Sequence, residues 1–211
     1  IKGEKFRNGE YEEININGKS MTKGQYANFR NVCSGNMEED VLYRCINPII
    51  PYKKEYEEQA YYADRLLEEH KVKIVINLSD TSSSIDSEGY AKSTYYQELQ
   101  KNGKVYSHQL KDDGDYKSLE KKQEIVKALR PIAENQGPYA IHCKMGQGRT
   151  GIAVLTLECL EGCDYEYIYK DYVTSFQNAN IVGHNKFSKS TYNKQFSKAM
   201  EGITGKSAED N

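Results

Sequence analysis

The chain has no tryptophan, four prolines, no C-x-x-C pair and no long apolar run. Each shortage excludes something. A membrane-crossing helix needs about 18 or more consecutive apolar residues, and no such stretch occurs, so stable membrane insertion is not expected. The five cysteines are odd in number and lack paired spacing, which argues against a disulfide scaffold and against a zinc site. Cys159 and Cys163 stand four apart in an expected helix and read as small apolar residues sharing one face. A metal reading of that pair needs two more ligands, which the neighbourhood does not offer. The formal net charge is −2, so no overall basic field draws nucleic acid or an anionic membrane. Any phosphate chemistry must use a local positive site. There are no internal repeats and no low-complexity linker. The chain opens on Ile1 and shows no leader, which leaves the compartment open, cytoplasmic or exported.

What is present suffices for a packed core. The 211 residues are 37% hydrophobic, the range of one domain with an N-terminal extension. The 18 tyrosines serve as half-buried packing. Residues 1–27 read as a polar arm, with turn signals at Asn8-Gly9 and Asn17-Gly18 and an alternation that suggests a hairpin. Residues 28–200 form the main domain, and 201–211 a mobile tail. Strands are expected over 41–45, 72–78, 104–110 and 139–143, with the second continuously apolar, as in a buried parallel sheet. Helices are expected over 53–70, 88–101, 118–135 (with a kink at Pro131), 150–161, 164–176 and 187–200, and a loop over 177–185. Alternating helices and strands predict an α/β fold with a short, largely parallel central sheet flanked by helices.

The stretch HCKMGQGRTG, residues 142–151, carries the chemistry and reads two ways. Gly146, Gly148 and Gly151 spell G-x-G-x-x-G, and Asp171 lies 20 residues further on, as in a dinucleotide loop. That fingerprint needs its acid at the end of a second strand. Asp171 sits in a helical pattern and no strand follows, so no βαβ unit can be built. The other reading starts from Cys143, at the end of a strand and at the carboxyl edge of the sheet, where open α/β folds bind ligands. Gly146 and Gly148 free the backbone, so the amides of Lys144, Met145, Gly146, Gln147 and Gly148 can form a nest for an anion. The helix that begins near Arg149 adds its positive end. The planar guanidinium of Arg149 grips two phosphate oxygens. A cysteine in such a field is a thiolate nucleophile for phosphoryl transfer.

H-C-x-x-G-x-x-R-T-G resembles the signature loop of the cysteine-dependent protein tyrosine and dual-specificity phosphatases. NFRNV (28–32), LYRC (42–45) and KIVINLSD (73–80) resemble the block order of bacterial members, so the likeness covers about 28–176. It implies hydrolysis of phosphate monoesters through a phosphocysteine, with no metal and no cofactor. It also implies a phosphorylated protein or small phosphomonoester as substrate, and a site that phosphate or sulfate can occupy. The family's general acid is an aspartate on a loop upstream of the cysteine. LKDDGDY offers Asp112, Asp113 and Asp115. Spacing favours Asp113, and Asp115 follows closely because an aromatic comes next. At least one of the three caps the following helix, with Asp115 first in line.

The resemblance also suggests supporting roles. His142 holds the loop by hydrogen bonds, or is a satisfied core histidine. Thr150 donates to the sulfur, or caps the helix. Gln177 positions the hydrolytic water, and His184 and Lys186 are candidates for the mouth. Phosphoinositide phosphatases carry C-K-x-G-K-x-R. Here Lys144 matches and Gln147 replaces the second lysine, so an inositol-phosphate or phosphoinositide substrate stays open. So do a non-catalytic phosphate-binding module and, more distantly, a sulfur transferase using Cys143 as a persulfide.

Overall fold

Residues 74–77 are Ile-Val-Ile-Asn, apolar on both faces, and a strand of this kind is stable only when covered on both sides. In the computed structural model, which describes residues 11–49, 54–81 and 92–206, that strand lies inside a five-stranded sheet. The strands are β1 (Glu13–Ile16), β2 (Lys19–Thr22), β3 (Arg30–Val32), β4 (Leu42–Cys45), β5 (Ile74–Asn77), β6 (Val105–Ser107) and β7 (Tyr139–His142). The main sheet runs β3-β4-β7-β5-β6, and β1 and β2 form a separate hairpin. Within the main sheet β3 runs antiparallel to β4, and β4, β7, β5 and β6 are mutually parallel.

Seven helices accompany the strands among the described residues: α1 (Lys23–Ala27), α2 (Glu57–Glu69), α3 (Thr94–Lys101), α4 (Leu119–Glu134), α5 (Gly148–Leu160), α6 (Tyr165–Val182) and α7 (Lys189–Thr204). Side-chain alternation divides the core. Leu42, Ile74, Ile76 and Ile141 face one side and pack with Ile125 of α4, Leu155 of α5, Phe176 of α6 and Phe196 of α7. Tyr43, Val75 and Ala140 face the other and pack with Ala63 and Leu67 of α2 and Tyr96 of α3. None of the described helices is long and apolar enough to cross a membrane.

The register positions the site. Cys45 pairs with His142, His142 with Asn77, and Asn77 with Ser107. All four parallel strands therefore end level, and the segments that follow them meet at one edge.

Several expectations shift. The Asn17-Gly18 hairpin forms, with both residues left-handed (φ 51° and 79°), as a two-residue turn of this type needs. α1 falls inside the expected arm, yet its Tyr26 and Ala27 are buried. α4 runs through Pro131 to Glu134. The expected loop over 177–185 is helical up to Val182, where left-handed Gly183 caps it. Its polar residues are satisfied by tertiary partners: Asn178 Nδ2 donates to Asn28 Oδ1 at 3.1 Å, and Asn180 Nδ2 to the Phe187 carbonyl at 2.9 Å. α5 stops at Leu160 and Gly162 is left-handed, so Cys163 lies beyond the helix rather than on the face of Cys159. α7 continues to Thr204, into the expected tail. The Asn8-Gly9 turn, the start of the expected 88–101 helix and residues 207–211 lie outside the described residues.

Candidate active site

Cys143 follows the last residue of β7, and α5 begins at Gly148. The turn between them is forced tight at Gly146. Its φ is +68°, and a Cβ there would collide with the Cys45 carbonyl oxygen at the end of β4. Only glycine satisfies both conditions. Gln147 is the N-cap of α5 and its side chain makes no capping bond, reaching instead toward the Ser175 carbonyl at 3.4 Å. The first amides of α5 are thus not spent on a side-chain cap. Thr150 lies inside the first turn, not at the N-cap position. Its Oγ1 is buried without a hydrogen-bond partner.

Cys143 is 3% exposed and Arg149 9%. Both line one cleft of about 860 Å³, together with Lys111, Asp112, Lys144, Met145, Gln147 and Gly148. Arg149 donates to the Leu78 carbonyl at 3.3 Å, which steadies the guanidinium. Its Nε is buried with no partner. A cation, a buried cysteine and a helix N-terminus therefore converge on one volume, which suits a bound anion.

His142 is fully buried beneath the loop. Burial pushes its pKa down to about 4, so the ring is neutral at physiological pH. Its Nδ1 lies 3.2 Å from the Cys143 carbonyl and its Nε2 3.0 Å from the Tyr96 hydroxyl. A neutral ring that donates from Nδ1 must accept at Nε2. Tyr96 therefore donates to His142 while accepting from Asn77 Nδ2 at 3.2 Å. The core and loop-holding readings of His142 coincide.

The aspartates separate. Asp112 lines the cleft with Cys143, and its Oδ1 lies 3.6 Å from where a Cβ on Gly148 would stand. Asp113 turns away: its Oδ1 accepts from Lys121 Nζ at 2.7 Å and it lines a neighbouring depression. The Lys121 bond holds its pKa below the ordinary carboxylate value. Asp115 Oδ1 accepts from the amides of Lys117 (3.0 Å) and Ser118 (3.1 Å). Bonds to Ser118 lead the causes that lower its pKa as well. The N-cap of α4 itself is Ser118, which accepts from the Lys121 amide. Spacing pointed to Asp113 and Asp115, but the Lys121 ammonium engages the first and the Lys117 and Ser118 amides the second, and neither lines the cleft.

Three further candidates stand apart from it. Gln177 is exposed and does not line the cleft. His184 bonds to Gln59 Oε1 at 2.7 Å and meets Tyr56 edge-on. Lys186 is exposed and also off the lining. Residues without any local motif take those places instead: Gln109, Phe176, Phe187 and Gln195. Asn180 fixes Phe187 by bonding both its carbonyl (2.9 Å) and its amide (2.7 Å). Asp171, the acid of the dinucleotide reading, is buried between Arg30 and Arg44. Removing one partner from a buried pair of this kind costs about 3–5 kcal/mol, because the charge left behind is buried and uncompensated. None of the five cysteines is in a disulfide. Among the described residues no group of three or more His, Cys, Asp or Glu is arranged to hold a metal.

Comparison with known proteins gives the following. TpbA of P. aeruginosa, solved in complex with phosphotyrosine, is similar at 17% identity over 84% of this chain and 94% of its own, with a TM-score of 0.45. The core catalytic domain of the PP-IP phosphatase Siw14 of S. cerevisiae, solved with citrate, is similar at 17% identity over 83% of this chain and 93% of its own, with a TM-score of 0.43. No curated protein sequence matches at a significant level. The sequence profile of the tyrosine phosphatase family matches residues 37–209, and the chain belongs to that family.

Proposed function

We propose that this protein hydrolyses phosphate monoesters of the protein tyrosine or dual-specificity type through a phosphocysteine intermediate. The observation that carries the reading is the convergence of Cys143, Arg149 and Asp112 on one cleft at a helix N-terminus. In the first step the Cys143 thiolate attacks phosphorus. The S–P bond forms and the P–O ester bond breaks. Arg149 and the loop amides hold the equatorial oxygens, where charge develops. Asp112 gives its proton to the leaving oxygen. In the second step Asp112, now a carboxylate, takes a proton from water. The water oxygen bonds phosphorus, the S–P bond breaks, inorganic phosphate is released and the thiolate is regenerated. Thr150, in the first turn of α5 with an unpartnered hydroxyl, is the donor assigned to the departing sulfur. Phe176 and Phe187, edge to face at 5.0 Å, wall the cleft with a surface suited to an aromatic ester.

A second substrate class is favoured by a different observation. Lys111, Lys144 and Arg149 all line the cleft, and three cations suit a substrate with more than one phosphate, such as an inositol phosphate. Hydrolysis of p-nitrophenyl phosphate with chelator present tests the enzyme reading. Turnover is expected in the wild type and none in Cys143→Ser. An inactive wild type that still binds phosphate makes the chain a binding module, and activity surviving in Cys143→Ser removes the thiolate mechanism. A panel of phosphotyrosyl peptides and inositol phosphates then separates the two substrate classes.

A further inference from the structure

We propose that Asn28 and Arg44 are positioning residues of the phosphate loop, holding its carbonyls from behind so that its amides face the phosphate. The inference rests on the reading of the cleft as a phosphate site. Three consecutive loop carbonyls are pinned toward the body of the protein. The Lys144 carbonyl accepts from the Asn47 amide at 3.2 Å. The Met145 carbonyl accepts from Asn28 Nδ2 at 3.1 Å. The Gly146 carbonyl accepts from Asn28 Nδ2 at 3.2 Å, Arg44 NH2 at 3.0 Å and Ser175 Oγ at 3.3 Å. In a trans peptide the carbonyl and the following N–H point in opposite directions. Drawing these carbonyls inward turns the amides of Met145, Gly146 and Gln147 outward, and Met145 and Gln147 line the cleft.

The pins are themselves fixed. Asn28 sits in a left-handed conformation (φ 48°) as the C-cap of α1. Its Oδ1 accepts from Arg30 NH1 at 2.8 Å and from Asn178 Nδ2 at 3.1 Å. With Oδ1 so occupied, Nδ2 is the atom that faces the loop, an orientation set by the network. Arg30 and Arg44 share Asp171, and Arg30 NH2 also donates to Ser175 Oγ at 2.9 Å. Arg30, Asn28, Arg44, Asp171 and Ser175 are all buried. The N-F-R and L-Y-R stretches are thereby tied to the loop more than 100 residues away in sequence. A neutral donor would satisfy the Gly146 carbonyl as well as a charged one does. The choice of arginine adds positive charge behind the cradle, which favours an anion in front of it.

Asn28→Asp tests this at constant shape. The variant keeps Oδ1 for Arg30 and Asn178 and tolerates the left-handed backbone. It replaces the Nδ2 donor with an oxygen facing two carbonyls. Three readouts are taken: tungstate affinity, the pH profile of tungstate-protectable alkylation by iodoacetamide, and Tm. Tungstate binding is expected to weaken by roughly tenfold or more, the scale of a lost buried hydrogen bond. The alkylation profile is expected to move to higher pH, because fewer amides face the thiolate. Ser175→Ala, which removes one of the three donors to Gly146, shifts both readouts the same way by less. If Asn28→Asp does not fold, Ser175→Ala decides by the same readouts. Wild-type tungstate affinity and an unmoved alkylation profile in the folded variants would overturn the inference, whatever happens to Tm. A wild type that neither binds tungstate nor hydrolyses esters overturns the phosphatase reading instead.

Discussion

Lys121 Nζ donates to Asp113 Oδ1 at 2.7 Å, and this contact separates Asp113 from its neighbour Asp112. Lys121 also donates to the Lys111 carbonyl at 2.6 Å, so one lysine of α4 holds both the start of the acidic loop and its second aspartate. Asp113 is left facing away from the cleft that Asp112 lines with Cys143.

The two aspartates are accordingly expected to behave differently. Asp112→Asn should lower kcat at neutral pH by about a hundredfold or more, the usual worth of a positioned acid, with tungstate binding retained. Asp113→Asn should leave kcat within a few-fold of wild type. Steady-state kinetics on an ester with a poor leaving group gives the clearest contrast. Loss confined to Asp113→Asn would return the acid to the residue that spacing favours.

The glycines of the loop are not equivalent. A Cβ at Gly146 meets the Cys45 carbonyl and requires a left-handed φ of +68° in a non-glycine residue. At Gly148 the nearest atom is Asp112 Oδ1 at 3.6 Å, an ordinary contact. Gly146→Ala should therefore abolish oxyanion binding and lower Tm, while Gly148→Ala should fold with a Tm close to wild type. Equal tolerance at both positions would contradict this loop conformation.

His142 makes stability depend on pH. Burial pushes the folded pKa down to about 4, whereas the unfolded ring titrates near 6.5. Between those values the unfolded chain binds the proton and the folded chain does not. The contribution is fully present above about pH 6.5 and is lost as pH falls toward about 4. Thermal melts from about pH 8 to about pH 4 should show a steeper decline for wild type than for His142→Asn. Parallel curves would mean that the ring is not held neutral.

Glu158 acts with the opposite sign. Both carboxyl oxygens are buried without hydrogen-bond partners. Burial, then repulsion from Asp171, raises its pKa well above the ordinary 4.5, and this outweighs the pull of Arg44 and Arg30. The folded pKa exceeds the unfolded one, so the stabilising contribution exists below about pH 4.5 and is lost as pH rises. Glu158→Gln has no such proton to lose. Its Tm relative to wild type should climb between about pH 5 and about pH 8. A difference that stays constant with pH would show that Glu158 is ionised in the folded protein.

The sequence by itself determined the strand, loop and helix of residues 142–151. The reason is local: Cys143, the glycines and Arg149 are contiguous, so chain geometry alone brings thiol, amides and guanidinium together. It also pointed to the parallel sheet, because the 72–78 strand is apolar on both faces and helices alternate with strands along the chain. Helix ends and side-chain directions were less accessible. The helical Gln177–Val182 segment looks like a loop until Asn178 and Asn180 meet Asn28 and Phe187. Only the tertiary structure decided which aspartate faces Cys143. Spacing fixes where a Cα lies along a loop, but the direction of its carboxylate depends on Lys121 from a separate helix. The tertiary structure likewise brought Phe187 and Gln195 to the cleft and set Asn28 and Arg44 behind the Gly146 carbonyl. These contacts join distant segments, and no local pattern in the chain records them.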